Sequence, residues 1–79
     1  MRFDFSPHFA RSYQKAPLAI QRAFDKQSLL LLQNLRHLRA KKYDEARDRW
    51  QARVTGSWRF YFKIVGDTYQ LEEIRAHPK

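Results

Sequence analysis

Hydrophobic and polar residues alternate with a period of two through the C-terminal part of the chain. The alternation runs through Trp50–Thr55 and again through Trp58–Ile64, with aromatic and β-branched residues at the apolar positions. Such a pattern is typical of half-buried β-strands. Turn-forming residues at 55–57 and 66–67 separate these segments from each other and from a third strand that ends near His77. The sequence therefore predicts a three-stranded antiparallel meander with one apolar face and one face of cations and tyrosine.

The register of the first hairpin follows from the rule that facing residues in a ladder point to the same side of the sheet. The apolar face is continuous if Val54 lies opposite Trp58, which requires a three-residue loop at 55–57 with Gly56 or a neighbour at positive φ. Arg53 then lies opposite Arg59. Two like charges in these positions repel each other unless an anion binds between them or solvent screens them.

The second hairpin has a two-residue turn at 66–67. This turn predicts Phe62 opposite Leu71 and Arg59 opposite Ile74. Continued without interruption, the same register places Glu73 on the apolar face, where a carboxylate fits poorly. Either a bulge shifts the register near residues 72–73, or Glu73 lies at the rim of the sheet; the pattern leaves both open.

The N-terminal half changes from a short strand to helical periodicity. Arg2–Phe5 predicts a strand at an edge of the sheet, and Ser6-Pro7 predicts the start of a helix that ends near Lys15. Pro17 opens a second helix to about Arg36, whose extra leucines indicate packing on more than one side or contact with a partner. Residues 37–49 lack a clean period, which favours a connecting loop with room for a short extended piece at 39–41.

This order of elements predicts one domain, residues 1–79, of the α+β class. A helical hairpin covers one face of a small antiparallel sheet made of the N-terminal strand and the C-terminal meander. The opposite face stays open and carries Arg53, Arg59, Tyr61 and Lys63.

Charge suggests what this open face contacts. The formal net charge is +8, and the basic excess is concentrated between Arg36 and Arg59. A clustered positive field favours a phosphate polymer or an acidic protein, with a merely basic soluble surface as the alternative. The absence of cysteine fits a reducing cytoplasm, and the longest apolar run, Leu29–Leu32, is far shorter than a membrane span. We therefore expect a cytoplasmic protein that does not enter membranes.

The available side chains restrict the chemistry. With no cysteine, no histidine pair at ligand spacing and no glycine-rich phosphate loop, neither a metal nor a cofactor is expected. Arginine, lysine, tyrosine and one histidine near the last strand suit metal-free cleavage of RNA. In that reaction a base deprotonates the ribose 2′-hydroxyl, cations stabilise the phosphorane charge and an acid protonates the leaving oxygen. DNA lacks the 2′-hydroxyl and would not be cut.

The segment from Trp50 to His77 resembles the C-terminal half of RelE/ParE-superfamily toxins of bacterial toxin–antitoxin systems. The resemblance rests on Arg53-Val54, Trp58-Arg59-Phe60, the Gly66-Asp67 turn and Ile74 to His77. The N-terminal strand, the second helix and the basic loop match in order, so the resemblance covers nearly the whole chain. Its motifs are specific in combination rather than singly. It implies a toxin held inactive by a cognate antitoxin protein.

The resemblance also implies functional residues. Arg59 matches the strand arginine that contacts the scissile phosphate, and His77 matches the C-terminal catalytic histidine of some nuclease members. Tyr61 is a further candidate for the catalytic site. The expected RNA-binding cations are Lys41, Lys42, Arg53, Lys63 and Lys79.

Three functions follow from the resemblance. RelE-like members are ribosome-dependent mRNA endonucleases, with mRNA and the ribosome as partners. ParE-like members inhibit DNA gyrase and do not cut RNA, and an inactive or engineered relative would act only as a binding module. Arg59 together with His77 favours the nuclease.

Overall fold

In the computed structural model, two helices pack on one face of a five-stranded sheet. The structure describes residues 2–33 and 41–76; for Lys41 and Tyr43 it describes only the backbone. The elements in chain order are β1 (Arg2–Phe5), α1 (Pro7–Lys15), α2 (Leu18–Gln33), β2 (Lys41–Asp44), β3 (Arg49–Thr55), β4 (Trp58–Val65) and β5 (Thr68–Ala76). The strands lie in the order β1-β5-β4-β3-β2. The α+β architecture, with a helical hairpin on one sheet face, is confirmed.

Two features of the sheet differ from the prediction. β1 pairs with β5 in parallel, so the sheet is mixed rather than wholly antiparallel. Part of the predicted loop is the edge strand β2, which pairs antiparallel with β3. Its turn is built by Asp44, whose Oδ1 accepts from the backbone N–H groups of Ala46 and Arg47 at 3.1 and 3.3 Å. Asp48 then adopts a φ of 54° before β3 begins.

The two helices begin where the sequence predicts. The Ser6 side chain caps α1 by accepting from the Phe9 N–H at 3.0 Å, and proline occupies the first turn. At the other end the Ala16 N–H donates to the Tyr13 carbonyl at 3.1 Å. Pro17 then precedes α2, and the predicted helix end near Arg36 lies outside the described residues.

The core lies between the helices and the apolar sheet face. Phe60, Phe62 and Leu71 are each 0% exposed, and the Phe24 ring of α2 meets Phe60 edge to face at 5.1 Å. Trp50 stacks on Phe62 at 6.4 Å, which agrees with its predicted place on the apolar face. Burial of each such side chain contributes about 1.5–3 kcal/mol. Since large aromatic residues fill this layer, a small domain gains a sizeable core.

The register between β3 and β4 is confirmed at its charged pair and differs beyond it. Arg53 pairs with Arg59, as predicted. Thr55, rather than Val54, pairs with Trp58, because a bulge interrupts the ladder at Val54. The turn between β3 and β4 is therefore residues 56–57 alone. Of the two glycines, Gly66 in the next turn has a positive φ, with a value of 59°, and Gly56 does not.

The register between β4 and β5 contains the bulge that the sequence left open. Phe62 pairs with Leu71 as predicted, but Tyr61 pairs with Glu73, so Glu72 is the extra residue. Beyond the bulge Arg59 pairs with Arg75 instead of Ile74. The shift turns Ile74 into the core at 2% exposure. A bulge is favoured here because it moves the Glu73 carboxylate off the apolar face.

β1 covers only the first half of the outer edge of β5, and α1 covers the second half. β1 pairs with residues 68–71, after which the Ser6 N–H donates to the Leu71 carbonyl at 3.2 Å. Further along, the Ile74 N–H donates to Ser12 Oγ of α1 at 3.1 Å. Strand edges are usually paired or covered in this way, since free backbone groups invite association. Within the described residues no helix is long and apolar enough to cross a membrane.

Candidate nucleic-acid interface

The sheet face opposite the helices carries three arginines in one row across three neighbouring strands. Arg53 of β3 pairs with Arg59 of β4, which pairs with Arg75 of β5. Residues that face each other in a ladder point to the same side, so the three guanidinium groups share one face. Their mutual repulsion makes an anion the natural occupant of this row. The surface formed by Arg49, Gln51, Arg53, Arg59, Tyr61, Lys63, Glu72, Glu73 and Arg75 is here called the arginine face.

Arg59 is held by the turn that precedes β4. Its Nη1 donates to the backbone carbonyls of Thr55 at 2.7 Å and Trp58 at 3.0 Å, and lies 3.3 Å from that of Gly56. The described residues place no hydrogen-bond acceptor on its Nε or Nη2. The anchored guanidinium therefore keeps one edge with two donors, which is the geometry that binds two phosphate oxygens.

Tyr61 lies on the arginine face but is not an open surface residue. It is 1% exposed, and two arginine side chains lie against its ring. The guanidinium carbons of Arg49 and Arg75 lie 5.3 and 4.6 Å from the ring centre. Cation–π contacts of this kind hold the guanidinium groups in place. The position of Tyr61 thus favours a supporting platform over direct contact with a substrate.

Two carboxylates at the bulge fix the outer arginines. Glu72 Oε1 accepts from Arg49 Nε at 3.0 Å, and Lys63 Nζ lies 4.0 Å from the other oxygen. Glu73 Oε1 lies 3.3 Å from Arg75 Nη1, and its Oε2 lies 3.0 Å from Nε2 of His8. Five cations thus share this face with two carboxylates, so the face stays net positive.

Two buried polar atoms on the arginine face have no hydrogen-bond partner among the described residues. They are Oε1 of Gln51, a residue that is 8% exposed, and Nε of Arg53. Buried polar atoms without partners are uncommon because each costs about 1–3 kcal/mol. Arg53 belongs to the arginine row, and Gln51 lies two residues before it on β3.

The predicted RNA-binding lysines do not all lie on one face of the sheet. Lys63 lies on the arginine face, but Lys42 pairs with Trp50 and lies on the apolar side of the sheet, with its Nζ 5.5 Å from the indole centre. Asp48, at 2.7 Å, raises the pKa of Lys42 by hydrogen bonding to its ammonium group. Lys42 thus lies on the other side of the sheet from the arginine face, and its contact with RNA stays a prediction.

The other predicted residues are only partly placed. The backbone of Lys41 pairs with Gln51 of β3. His77 and Lys79 lie outside the described residues, so their roles stay predictions. Among residues 2–33 and 41–76, no three His, Asp or Glu side chains come together in a way that could hold a metal ion.

Sequence reasoning missed Arg49, Arg75, Glu73 and His8. A signal for Arg75 existed, because the bulge near residues 72–73 was one of two alternatives and would have moved Arg75 opposite Arg59. Arg49 and Glu73 required knowledge of side-chain pairing between distant strands. His8 was indistinguishable from an ordinary residue on a helix surface.

Comparison with solved structures gives full-length matches at low sequence identity. The RelBE2 toxin–antitoxin complex of Mycobacterium tuberculosis contains a chain with a TM-score of 0.80 and 19% identity, over 96% of both chains. A YoeB/ParE toxin of Agrobacterium tumefaciens gives a TM-score of 0.77 and 12% identity, over 99% of this chain and 100% of that one. This chain has the RelE-type toxin fold.

The isolated RelE toxin of E. coli has the same RelE-type fold, with a TM-score of 0.77 and 11% identity over 98% of this chain and 84% of that one. No protein-family model matches the sequence, and no curated protein matches it significantly. At these identities the comparison establishes the RelE-type fold, and function has to be argued from the residues on it.

Proposed function

We propose that this chain is the toxin of a toxin–antitoxin module and that it cuts ribosome-bound mRNA without a metal ion. The observation that carries the proposal is the row of Arg53, Arg59 and Arg75 on the sheet face opposite the helices. Several solved structures with this fold are toxins, and some were solved in complex with antitoxins. A cognate antitoxin is accordingly the proposed regulatory partner.

The proposed reaction is attack of a ribose 2′-hydroxyl on the adjacent phosphate, in which the hydroxyl proton passes to water, a 2′,3′-cyclic phosphate forms and the 5′-oxygen of the next nucleotide leaves. The free edge of Arg59 would bind two phosphate oxygens, and Arg75 would neutralise the charge that develops on the phosphorane. Preorganised cations of this kind are effective because they do not have to reorganise during the reaction. Their fixed positions are supported by the turn carbonyls around Arg59 and by the Glu73 contact of Arg75.

The proton donor for the leaving oxygen is proposed to be His77. An unperturbed histidine titrates near pH 6.5, which suits proton transfer at neutral pH. Tyr61 supports Arg75 through its ring in this scheme rather than transferring the proton itself, since it is 1% exposed. This is a change of role from the one suggested by sequence alone.

The test is controlled expression in growing bacteria, with mapping of mRNA 5′ ends. We expect new 5′ ends within coding regions for the wild type and their loss for Arg59→Ala. Arg59→Lys should also be impaired, because lysine keeps the charge but loses both the two-donor edge and the anchor to the turn. Lys26→Ala, which removes an exposed cation from α2 on the opposite layer, is the matched control and should cut normally.

His77→Ala completes the series. We expect cleavage of ribosome-bound mRNA by the purified variant to fall by about 10²- to 10⁴-fold, which is the usual contribution of a positioned proton donor. Thermal melting of the same sample shows whether the fold is intact. Full activity in a folded His77→Ala protein would remove His77 from the mechanism.

A non-catalytic inhibitor, such as a gyrase-directed one, is the second candidate. It is favoured by the burial of Tyr61 and by the bonds that tie Arg59 to the turn, since both residues then serve the structure. Growth inhibition without new mRNA 5′ ends, retained in His77→Ala, would select this candidate over the nuclease.

A further inference from the structure

The outward face of α2 carries leucines that stay exposed among the described residues. Leu18 and Leu29 are 60% and 62% exposed, and Leu32 is 37% exposed. The neighbouring Leu31 is 0% exposed, so the helix buries one face in the core and presents another to solvent. Isolated surface leucines need no explanation, whereas leucines in a regular pattern do.

The exposed residues form one stripe along the helix. Leu18, Arg22, Asp25, Leu29 and Leu32 follow one another at intervals of four, three, four and three residues, and all five are exposed. This alternation of four and three is the spacing of the contact positions in a two-helix coiled coil. We call these five residues the α2 stripe. It spans about 21 Å at 1.5 Å per residue.

The middle of the stripe is charged, and its two charges do not satisfy each other. Within the described residues, Arg22 and Asp25 form no ion pair although they lie one turn apart on α2. Asp25 Oδ1 accepts from the Tyr13 hydroxyl at 2.8 Å, and no described residue donates to its Oδ2. Both groups are thus available to a partner that presents opposite charges at matching positions.

A second copy of the same stripe supplies that match. When two α2 helices are laid antiparallel, Leu18 of one copy faces Leu29 of the other, and Arg22 faces Asp25 of the other. The twofold axis repeats both pairs, giving two leucine pairs that flank two Arg–Asp pairs. A surface that is complementary to itself under a twofold rotation is what a symmetric dimer requires. The contact positions of such a helix fall into two classes, those followed by a step of four residues and those followed by a step of three. In an antiparallel pair a position of one class faces a position of the other class, as Leu18 faces Leu29.

We propose that the chain forms a twofold dimer through antiparallel contact between two α2 stripes. The partner is a second copy because this sequence already contains the complementary charges in the required order. The proposal is independent of RNA cleavage. The helices lie on the opposite side of the sheet from the arginine face, so the dimer presents two arginine faces outward.

The first test is a charge exchange, followed by sedimentation velocity at about 0.15 M salt, where the repulsion between two basic chains is screened. Arg22→Asp and Asp25→Arg each convert both Arg–Asp pairs into like-charge pairs. Each should raise the dimer Kd roughly tenfold or more. The double variant Arg22→Asp/Asp25→Arg restores opposite charges with their places exchanged, and it should recover the wild-type Kd. Lys26→Asp, a charge reversal beside the stripe, is the control.

Recovery in the double variant supports the proposed register. A wild-type chain that stays monomeric at all concentrations overturns the dimer, and so does a Kd that falls or stays constant in the single variants. Circular dichroism shows that each variant is folded, since Asp25→Arg also removes the bond to Tyr13.

A second test uses the absence of native cysteine. In the double variant Leu18→Cys/Leu29→Cys, the two positions within one chain are about 16 Å apart along the helix, too far for a disulfide. Across the proposed interface they face each other. Mild oxidation should therefore give a covalent dimer with two disulfides. The single variants Leu18→Cys and Leu29→Cys should crosslink far less, and equal crosslinking of singles and double would overturn the register.

Discussion

Tyr61 illustrates how a residue can follow the alternation of its strand and still be buried. Its place on the arginine face was predictable from period two. Its 1% exposure depends on Arg49 and Arg75, which reach over the ring from β3 and β5. Long cationic side chains can cover aromatic surface with their stems and planar heads. Alternation states which face a side chain points to, but the neighbours decide whether solvent reaches it.

Tyr69 is a buried residue whose ionisation is linked to folding. Its hydroxyl donates to the Leu31 carbonyl of α2 at 3.2 Å, and burial raises its pKa above the usual value of 10.0. The folded state therefore disfavours the ionised form. The stabilisation is fully present below about pH 10 and is lost as the pH rises through the raised pKa of the folded protein.

We predict a pH-dependent difference between the wild type and Tyr69→Phe. At pH 8 the variant should be less stable by about 0.5–1.5 kcal/mol, because it loses the hydrogen bond to Leu31. Above pH 10 the gap should shrink, since only the wild type has this buried tyrosine to ionise. Urea unfolding at pH 8 and at pH 11 measures both gaps. A gap that is the same at the two pH values would contradict this linkage.

For the helices and strands, the sequence predicted the type of each element more accurately than its pairing partner and direction. The two helices, β1 and the meander all follow from periodicity, proline and turn residues. The parallel direction of β1 does not, because alternation is the same for both directions. β2 was not predicted as a strand, because three of its four residues are charged and so carry little apolar signal. One bulge residue in β5 brings Arg75 opposite Arg59, where the uninterrupted register did not place it. The pair of Arg53 and Arg59 joins β3 to β4, so that bulge does not affect it, and it was predicted correctly.

The contact between α1 and the edge of β5 yields a second prediction. Ser12 Oγ accepts from the Ile74 N–H and donates to the Phe9 carbonyl at 2.9 Å. Ser12→Ala leaves the Ile74 N–H without its acceptor in a partly buried place, which should cost about 1–3 kcal/mol.

Ser28→Ala is the matched control for Ser12→Ala. Ser28 is also buried, but its hydroxyl only donates to the Asp25 carbonyl within its own helix at 2.8 Å. Its loss should therefore cost less than that of Ser12. Comparison of the urea midpoints decides the point, and equal losses in the two variants would show that the strand edge does not depend on Ser12.

For the molecule as a whole, the arginine face and the helical layer lie on different sides of the sheet. The face with five cations and two carboxylates is therefore free to bind a polyanion while the helices contact another protein. Non-specific affinity of this kind comes mainly from release of counterions, so it depends strongly on salt. The net charge of +8 should likewise make the rate of association with a polyanion depend on salt.

We predict that the logarithm of the affinity for single-stranded RNA falls with the logarithm of the salt concentration at a slope of about −3, as expected for roughly four neutralised phosphates. The probe is RNA with 2′-O-methyl riboses, which lacks the attacking hydroxyl and stays intact. Arg75→Ala should reduce the slope by about 0.7, the share of one phosphate contact, whereas Lys26→Ala should leave it unchanged. An affinity that does not change with salt would show that the arginine face does not bind the phosphate backbone.

The bulge in β5 has an evolutionary consequence. Glu72 is the one residue of that strand segment without its own partner in β4, because Leu71 pairs with Phe62 and Glu73 with Tyr61. Its deletion would leave every remaining rung of the ladder intact, with Ile74 inward and Arg75 in its row. An insertion or deletion inside a core strand normally reverses all side chains beyond it. In this strand a lineage could gain or lose one codon without exchanging the inside and the outside of the protein.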